Sequence, residues 1–224
     1  MSANLIPILW ESTLQTLYMV AMSTLLGTII GAPLGIFLAT SRRGELLSAP
    51  VLNAVLGLIV NAARSTPFII LVVAIIPLTR LLAGTSIGTT AAIVPLTIAA
   101  APFIARLIET AIREIDAGLI EAARAMGATP MQIVRKVLIP EAMPGIILGL
   151  TLAVVSLIGY SAMVGAVGGE GLGDLGIRYG YQRFMPEVML AVVVILIVLV
   201  QAVQSLGEWI ASRFDKRAPR NRGR

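Results

Sequence analysis

The sequence predicts an all-α membrane protein with about five transmembrane helices, forming one domain over residues 1–224. Three observations predict it. Hydrophobic residues make up 57% of the chain and charged residues only 13%, whereas about a quarter of the residues of soluble domains are charged. Long charge-free runs recur, and a helix needs roughly 20 apolar residues to cross a bilayer. These runs are continuously apolar rather than alternating, which disfavours the strands of a membrane β-barrel.

The charge-free runs place five spans in chain order. We expect them near residues 12–40, 65–82, 88–106, 144–167 and 187–210, with a cytoplasmic loop over residues 107–143.

The second span is the least regular of the five. The stretch over residues 46–82 is too long for one span at about 1.5 Å per residue, yet it contains no loop that would separate two. Asn61, Arg64 and Pro67 lie at its middle. We therefore expect a shallow helix near Ala49–Asn61 and a span that starts at about Ser65. Arg64 either extends to the membrane interface or lines a pathway.

The distribution of basic residues predicts the orientation, because cytoplasmic segments carry an excess of Lys and Arg. With the N-terminus outside and the C-terminus in the cytoplasm, the cytoplasmic segments hold most of the 17 basic residues. They are Arg42, Arg43, Arg106, Arg113, Arg124, Arg135, Lys136, Arg213, Lys216, Arg217, Arg220, Arg222 and Arg224. The opposite side holds Arg80, Arg178 and Arg183. We expect the basic run 216–224 to be disordered beside anionic headgroups.

The composition also excludes several kinds of chemistry. The chain has no Cys and no His, so thiolate or imidazole metal sites, Cys nucleophiles and His general bases are ruled out. Neither Lys136 nor Lys216 follows a glycine-rich loop, which excludes a P-loop ATPase. No carboxylate lies at the centre of a span, which disfavours an ion-coupled carrier. We expect no catalytic residue, no metal, no cofactor and no nucleic-acid partner.

Glycine-rich segments are better explained by packing. The segment 171–176 fits G-x-G-x-x-G, but it follows a span and has no βαβ unit around it, so we interpret it as an outer loop packed between spans. Gly27, Gly31 and Gly35 stand four residues apart in the first span. Such rows let helices approach closely in lipid, either within the chain, which we favour, or at a subunit interface.

The cytoplasmic loop predicts two short helices joined at a glycine. Glu109 and Arg113 are spaced to pair on one helix face. Asp116 is a candidate cap for a helix that ends at Gly127. Thr129 and Pro130 have the residue types that begin a second helix, which we expect to run to about Leu138.

An apolar stripe on this second helix indicates a partner. It comprises Ile133, Val134, Val137 and Leu138, and we expect Pro140 and Pro144 to close the segment before the next span. The helix pair either docks onto a soluble protein or lies on the membrane surface.

The loop also carries a recognisable motif. Glu121-Ala-Ala-x-x-x-Gly127, nine residues, and then Val137-Leu-Ile-Pro140 resembles the EAA signature of ABC importer permeases, E-A-A-x3-G-x9-I-x-L-P. Val137 and Ile139 are conservative departures from it. The resemblance implies the type I ABC importer permease architecture and a coupling helix seated in a cleft of a separate ATPase. The implied coupling residues are Glu121, Ala122, Ala123, Gly127, Ala128, Thr129, Pro130 and Pro140.

Three further segments are similar to the methionine-uptake permease family: residues 61–80, 160–176 and 178–184. The resemblance implies a multi-pass protein of the bacterial inner membrane that works as a homodimer. It also implies an ABC ATPase dimer, which holds ATP and Mg, a substrate-binding lipoprotein, and an amino-acid substrate, methionine or its D-enantiomer and derivatives. This chain itself would be non-catalytic.

Four residues of the fourth span stand out among small and aliphatic neighbours and are candidates for the translocation pathway. They are Ser156, Tyr160, Ser161 and Met163. A soft apolar gate with a few hydroxyls would suit a thioether substrate, although Tyr160 and Met163 fit ordinary helix packing equally well. Two alternative functions remain open at this point: a permease for another small solute, and a membrane scaffold whose loop recruits a partner other than an ATPase.

Overall fold

The structure is a computed structural model that describes residues 5–214; residues 1–4 and 215–224, which include the basic run 216–224, lie outside the described residues. The helices follow one another in this order: α1 Leu5–Thr40, α2 Pro50–Ser65, α3 Phe68–Ala74, α4 Ile76–Ala83, α5 Thr89–Arg113, α6 Ala117–Ala125, α7 Pro130–Ile133, α8 Ile139–Gly165, α9 Gly171–Leu175 and α10 Pro186–Phe214. Two π-helical segments, Val134–Leu138 and Gly176–Tyr181, precede α8 and follow α9.

The predicted all-α membrane fold is confirmed. Residues 5–214 form helices and loops, with no strand among them. Four helices are long and apolar enough to cross a membrane: α1, α5, the run Pro130–Gly165 and α10. Helices α2 and α3 make a fifth crossing if this bent pair is counted as one. The number of spans therefore reaches the expected five only with one broken crossing.

This broken crossing differs from the span expected over residues 65–82. Helices α2 and α3 meet at a 100° bend. Pro67 accounts for it, because proline disfavours a helical conformation of the preceding residue, and Thr66 is extended with φ −79° and ψ 126°. A second break falls at Ile75. Pro77 follows two residues later and has no N–H to continue the hydrogen bonding of α3.

The first span packs against α5 through its glycines, within the chain as we favoured. Gly27, Gly31 and Gly35 are all buried at this contact. A Cβ on Gly31 would lie 2.6 Å from the carbonyl oxygen of Ala101, and a Cβ on Gly27 would lie 2.8 Å from the Cβ of Ala100. The two helices are therefore closer than any larger residue allows.

Helix α5 is the centre of the molecule. Of its most apolar stretch of 18 residues, 56% are buried inside the protein. In the corresponding stretch of α10 only 11% are buried. Helix α8 approaches α5 from another side in the same way as α1. A Cβ on Gly149 would lie 3.0 Å from the Cβ of Leu107, and one on Gly145 would lie 3.1 Å from the Cβ of Ala111. Close glycine contacts therefore join α5 to two other spans.

The expectation that Pro140 and Pro144 close the loop before the next span is wrong. The chain stays helical from Pro130 to Gly165. A proline at position 140 removes one α-helical hydrogen bond and crowds the carbonyl four residues before it. The π-helical segment Val134–Leu138 lies directly before it, with the N–H of Ile139 donating to the carbonyl of Val134. This wider turn lets the helix continue past the proline.

The glycine-rich segment 171–176, which we interpreted as an outer loop, is instead helical, forming α9 and the first residue of the π-helical segment, and it packs on α1. The N–H of Gly171 donates to Gln15 Oε1 at 3.0 Å, and the N–H of Leu172 donates to Thr16 Oγ1 at 2.9 Å. A Cβ on Gly171 would lie 2.7 Å from Thr16 Oγ1. Its glycines thus allow close packing on α1.

The close approach of α1 and α5 predicts that a side chain at position 31 destabilises the fold. Gly31→Val should lower stability by about 1–3 kcal/mol, the usual cost of overpacking. Thermal unfolding of the purified protein in detergent measures it. Gly159→Ala is the control, because a Cβ there has no neighbour within 4 Å. Equal unfolding midpoints for both variants would contradict this packing.

Candidate functional site

The loop between α5 and α8 forms a compact unit that we call the knob, residues 117–138. Its first helix, α6, begins as expected from Asp116. The Asp116 carboxylate accepts a hydrogen bond from the N–H of Gly118 at 2.6 Å. This hydrogen bond satisfies one of the free backbone donors at the start of the helix.

The turn between the two knob helices depends on Gly127. Its φ is +78°, in the left-handed region that favours glycine. The N–H of Ala128 donates to the carbonyl of Ala123 at 3.1 Å, and the N–H of Gly127 donates to the carbonyl of Arg124 at 2.9 Å. This pair of bonds is the Schellman motif, which closes the end of α6.

The second knob helix begins with a capping box, in agreement with the prediction from Thr129 and Pro130. The N–H of Gln132 donates to Thr129 Oγ1 at 3.4 Å, and the Gln132 Oε1 accepts from the N–H of Thr129 at 2.8 Å. Pro130 occupies the first turn, where its missing N–H costs nothing. Local hydrogen bonds therefore fix the start of α6, the turn at Gly127 and the start of the second knob helix.

The apolar stripe of the second knob helix faces inward, which corrects our reason for expecting a partner. Ile133, Val134 and Leu138 are 1–3% exposed and belong to the main hydrophobic core. Ala123 of α6, at 3% exposed, joins the same core. The stripe is already covered by the chain itself, so it offers no docking surface.

The exposed apolar residues of the knob lie at its tip instead. Met126 is 82% exposed and Met131 is 54% exposed, on either side of the turn that contains Gly127. Leu119 on α6 adds a third apolar side chain at 41%. Sequence reasoning missed both methionines, although two Met flanking Gly-Ala-Thr-Pro was a visible signal for an adaptable contact surface.

The expected coupling residues divide into exposed and packed groups. Glu121, Ala122, Gly127, Thr129 and Pro130 are exposed on the knob, while Ala128 and Pro140 are half-buried. Ala123 alone of the set is buried.

A polar cavity of about 380 Å³ opens between α6 and the loop that joins α1 to α2. Its charged lining includes Arg43, Glu45, Glu121 and Arg124. Glu121 therefore faces a solvent-accessible, charged recess between α6 and the end of α5.

Near the end of α5, Glu109 is only 4% exposed, and its carboxylate forms ion pairs with three arginines. The expected pair with Arg113 is confirmed at 2.8 Å, Arg106 is in direct contact, and Arg42 lies at 3.6 Å. We call these four residues the Glu109 cluster. A buried carboxylate is tolerated only when it is paired in this way.

The candidate pathway residues do not form one group. Ser156, Tyr160 and Met163 follow at i, i+4 and i+7 and share one face of α8, with Met163 47% exposed. Tyr160 stacks on Phe68 of α3, with ring centroids 4.4 Å apart and planes at 12°. Ser161 is 2% exposed, and its hydroxyl donates to the carbonyl of Ile158 at 2.7 Å.

Arg64, the other candidate for the pathway, packs against an aromatic ring. The guanidinium of Arg64 lies 5.8 Å from the ring centroid of Phe103, so it packs on α5. Residues 5–214 contain no group of three or more Asp, Glu, His or Cys that could hold a metal ion.

The chain is similar to known transport proteins in both sequence and structure. Residues 31–217 match the model of a family described as binding-protein-dependent transport system inner membrane component. A probable D-methionine transport system permease protein of Vibrio cholerae is 55% identical over 210 residues, covering 94% of this chain and 93% of that protein. The D-methionine transport system permease of Escherichia coli K12 is 53% identical over 162 residues, covering 71% of this chain and 75% of that protein.

Solved structures agree with the fold. An inward-facing structure of the MetNI methionine ABC transporter contains a chain with 50% identity and a TM-score of 0.94, covering 96% of this chain and 100% of that one. An amino acid ABC transporter with histidines matches at a TM-score of 0.77 and 22% identity, covering 93% of this chain and 94% of that one. At this low identity the likeness supports the fold alone.

The knob turn predicts a strong dependence on residue type at position 127. Gly127→Val should loosen the turn, since a β-branched residue is strained at φ +78° while no neighbour crowds the position. Amide hydrogen exchange over residues 117–130 should rise about tenfold, as expected for strain of 1–2 kcal/mol. Gly127→Asn is the control, because Asn tolerates this region. Unchanged exchange in the valine variant would refute the assignment.

Proposed function

We propose the function of this chain from one premise: it belongs to the family of binding-protein-dependent transport system inner membrane components. It is a multi-pass inner-membrane permease subunit of an ABC transporter, whose ATPase is a separate partner. Its substrate is methionine. The observation that carries this proposal is identity of 48–55% over 92–94% of the chain with three probable D-methionine permeases.

The knob supplies the coupling contact with the ATPase. Met126 and Met131 present flexible, polarizable side chains on a turn that three local motifs hold rigid. Glu121 and Arg124, both exposed on α6, add charges to the same knob. A rigid apolar tip with charged flanks suits a cleft on a soluble protein. We assign Glu121, Ala122, Gly127, Thr129 and Pro130 to this contact.

The remaining coupling residues act from within the chain. Ala123 seats α6 on the core, Ala128 completes the Schellman motif, and Pro140 follows the π-helical segment that joins the knob to α8. A movement of the knob would therefore reach the fourth span without passing through a flexible loop.

The translocation pathway follows the face of α8 that carries Ser156, Tyr160 and Met163. The stacked Phe68 and Tyr160 rings offer an apolar, polarizable surface, and a thioether packs well against aromatic rings. Ser161 drops out of this set, because its hydroxyl is buried and already hydrogen-bonded.

The assembly that this function requires is larger than the chain. A second copy would complete the pathway, an ATPase dimer would bind ATP and Mg beneath the knobs, and a substrate-binding lipoprotein would deliver methionine from outside. This chain is non-catalytic and holds no cofactor. The knob then faces the cytoplasm, with the N-terminus outside, as the basic residues predict. ATP binding must favour one state of the pathway to drive transport.

Transport and docking are tested together by reconstituting the permease with its ATPase and binding protein in proteoliposomes. Labelled methionine should accumulate only with ATP. Met126→Asp should reduce co-purification of the ATPase by about tenfold, because a charge enters an apolar contact, while Met126→Leu retains it.

Glu121→Lys should abolish uptake without loss of the inserted permease. Uptake of a different solute with no methionine uptake would overturn the substrate assignment.

The pathway assignment predicts different effects at two adjacent positions. Tyr160→Ala should lower methionine uptake about three- to tenfold, since an aromatic pair contributes about 0.5–1.5 kcal/mol beyond its burial. Tyr160→Phe keeps the stack and serves as the control. Ser161→Ala should transport normally. Initial uptake rates over a range of methionine concentrations decide the question, and equal rates for Tyr160→Ala and the native protein would rule out the pathway role.

A further inference from the structure

The Glu109 cluster connects three helices at the base of the knob. Arg106 donates to the carbonyl of Gly57 at 3.0 Å and to Asn61 Oδ1 at 2.9 Å, both on α2. Arg113 donates to the carbonyl of Leu38 at the end of α1, at 3.2 Å. Glu109 thus joins α5 to both neighbours through its arginines.

The N-terminal part of α2 is hydrogen-bonded to the end of α1, which Arg113 also contacts. Asn53 Nδ2 donates to the carbonyl of Leu38 and to Ser41 Oγ, each at 2.9 Å. Val60 is its only buried residue, so these polar contacts hold α2 in position more than apolar packing does.

The far end of α2 reaches the pathway. Beyond the 100° bend, α3 begins with Phe68, the residue that stacks on Tyr160. A rotation or shift of α2 therefore moves Phe68 against the candidate pathway face. A helix transmits such a displacement well, since its own hydrogen bonds keep it stiff over its length.

The knob shares a hydrophobic core with the part of α5 that carries the cluster. Ala123, Ile133 and Val134 share one core with Ile108 and Ile112, the residues of α5 that flank Glu109. Residues 114–116 are the short link between α5, which carries the cluster, and α6. A force on the knob therefore reaches the Glu109 cluster through this link and the shared core.

We propose that Arg106 and Glu109 are positioning residues that transmit movement of the knob to α2 and, through Phe68, to the pathway. This inference rests on the proposed function, since it assumes an ATPase that moves the knob. Apolar surfaces slide past each other at little cost, whereas charge-assisted hydrogen bonds fix register. Arg106 Nε is buried without an acceptor among the described residues, which leaves the guanidinium a spare donor for a second arrangement.

The test compares methionine transport with ATP hydrolysis in the reconstituted complex. Arg106→Gln removes the contacts with α2 while Glu109 keeps two arginines. Hydrolysis should stay within about twofold of the native rate, and methionine moved per ATP should fall about tenfold, within the range usual for coupling between sites. A purely structural role would lower both rates in proportion to the folded complex.

Two further variants keep the inference testable if Arg106→Gln does not fold. Asn61→Ala, at an exposed position, removes one of the two α2 acceptors and should lower the transport ratio several-fold, while Asn61→Asp keeps an acceptor and should retain it. Arg178→Gln is the control, because it breaks the pair between Arg178 and Asp174 outside the Glu109 cluster.

The outcomes separate this inference from the function on which it rests. If the native complex moves no methionine, the proposed function fails. If the native complex transports and the variants keep its ratio of methionine to ATP, the positioning role of Arg106 and Glu109 is refuted. Loss of transport per ATP in Arg106→Gln or Asn61→Ala, but not in Arg178→Gln, supports it.

Discussion

The close approach of α5 to its neighbours is the constraint on which the rest of the structure depends. Lipid gives helices no hydrophobic reason to associate, so contact distance decides how strongly they pack. Glycines of α1 and α8 meet α5 where a Cβ would overlap or crowd it. This contact fixes α5, which reaches from the membrane to the knob, so the other helices can move relative to a rigid central helix.

Helix α5 also connects the knob with the helices that line the proposed pathway. The knob rests on the end of α5 through a buried apolar core, and the Glu109 cluster lies between this core and α2. The run Pro130–Gly165 joins the knob to the α8 face without a break. Two routes therefore lead from the proposed ATPase contact to the Phe68–Tyr160 stack. A permease subunit whose ATPase is a separate partner needs such routes to use the work done by that partner.

The knob was largely predictable from the sequence because its determinants are local. Asp116, Gly127 and Thr129 each act on backbone groups a few residues away, and all three act as expected. The inward face of Ile133, the exposure of Met126 and the burial of Ser161 depend on the packing of distant segments, which spacing does not reveal. The second span differs: Pro67 and Pro77 are visible in the sequence, but a proline either ends a helix or only kinks it, so spacing does not reveal the 100° bend between α2 and α3.

Contact between the knob tip and an ATPase is the central claim, and site-specific photo-cross-linking tests it most directly. A photoreactive residue at position 126 of the reconstituted, transporting complex should form a light-dependent adduct with the ATPase. The same residue at position 209, whose Trp is 55% exposed on α10, should give far less. Equal yields at both positions, or no ATPase adduct from position 126 in a complex that still transports methionine, would contradict the account.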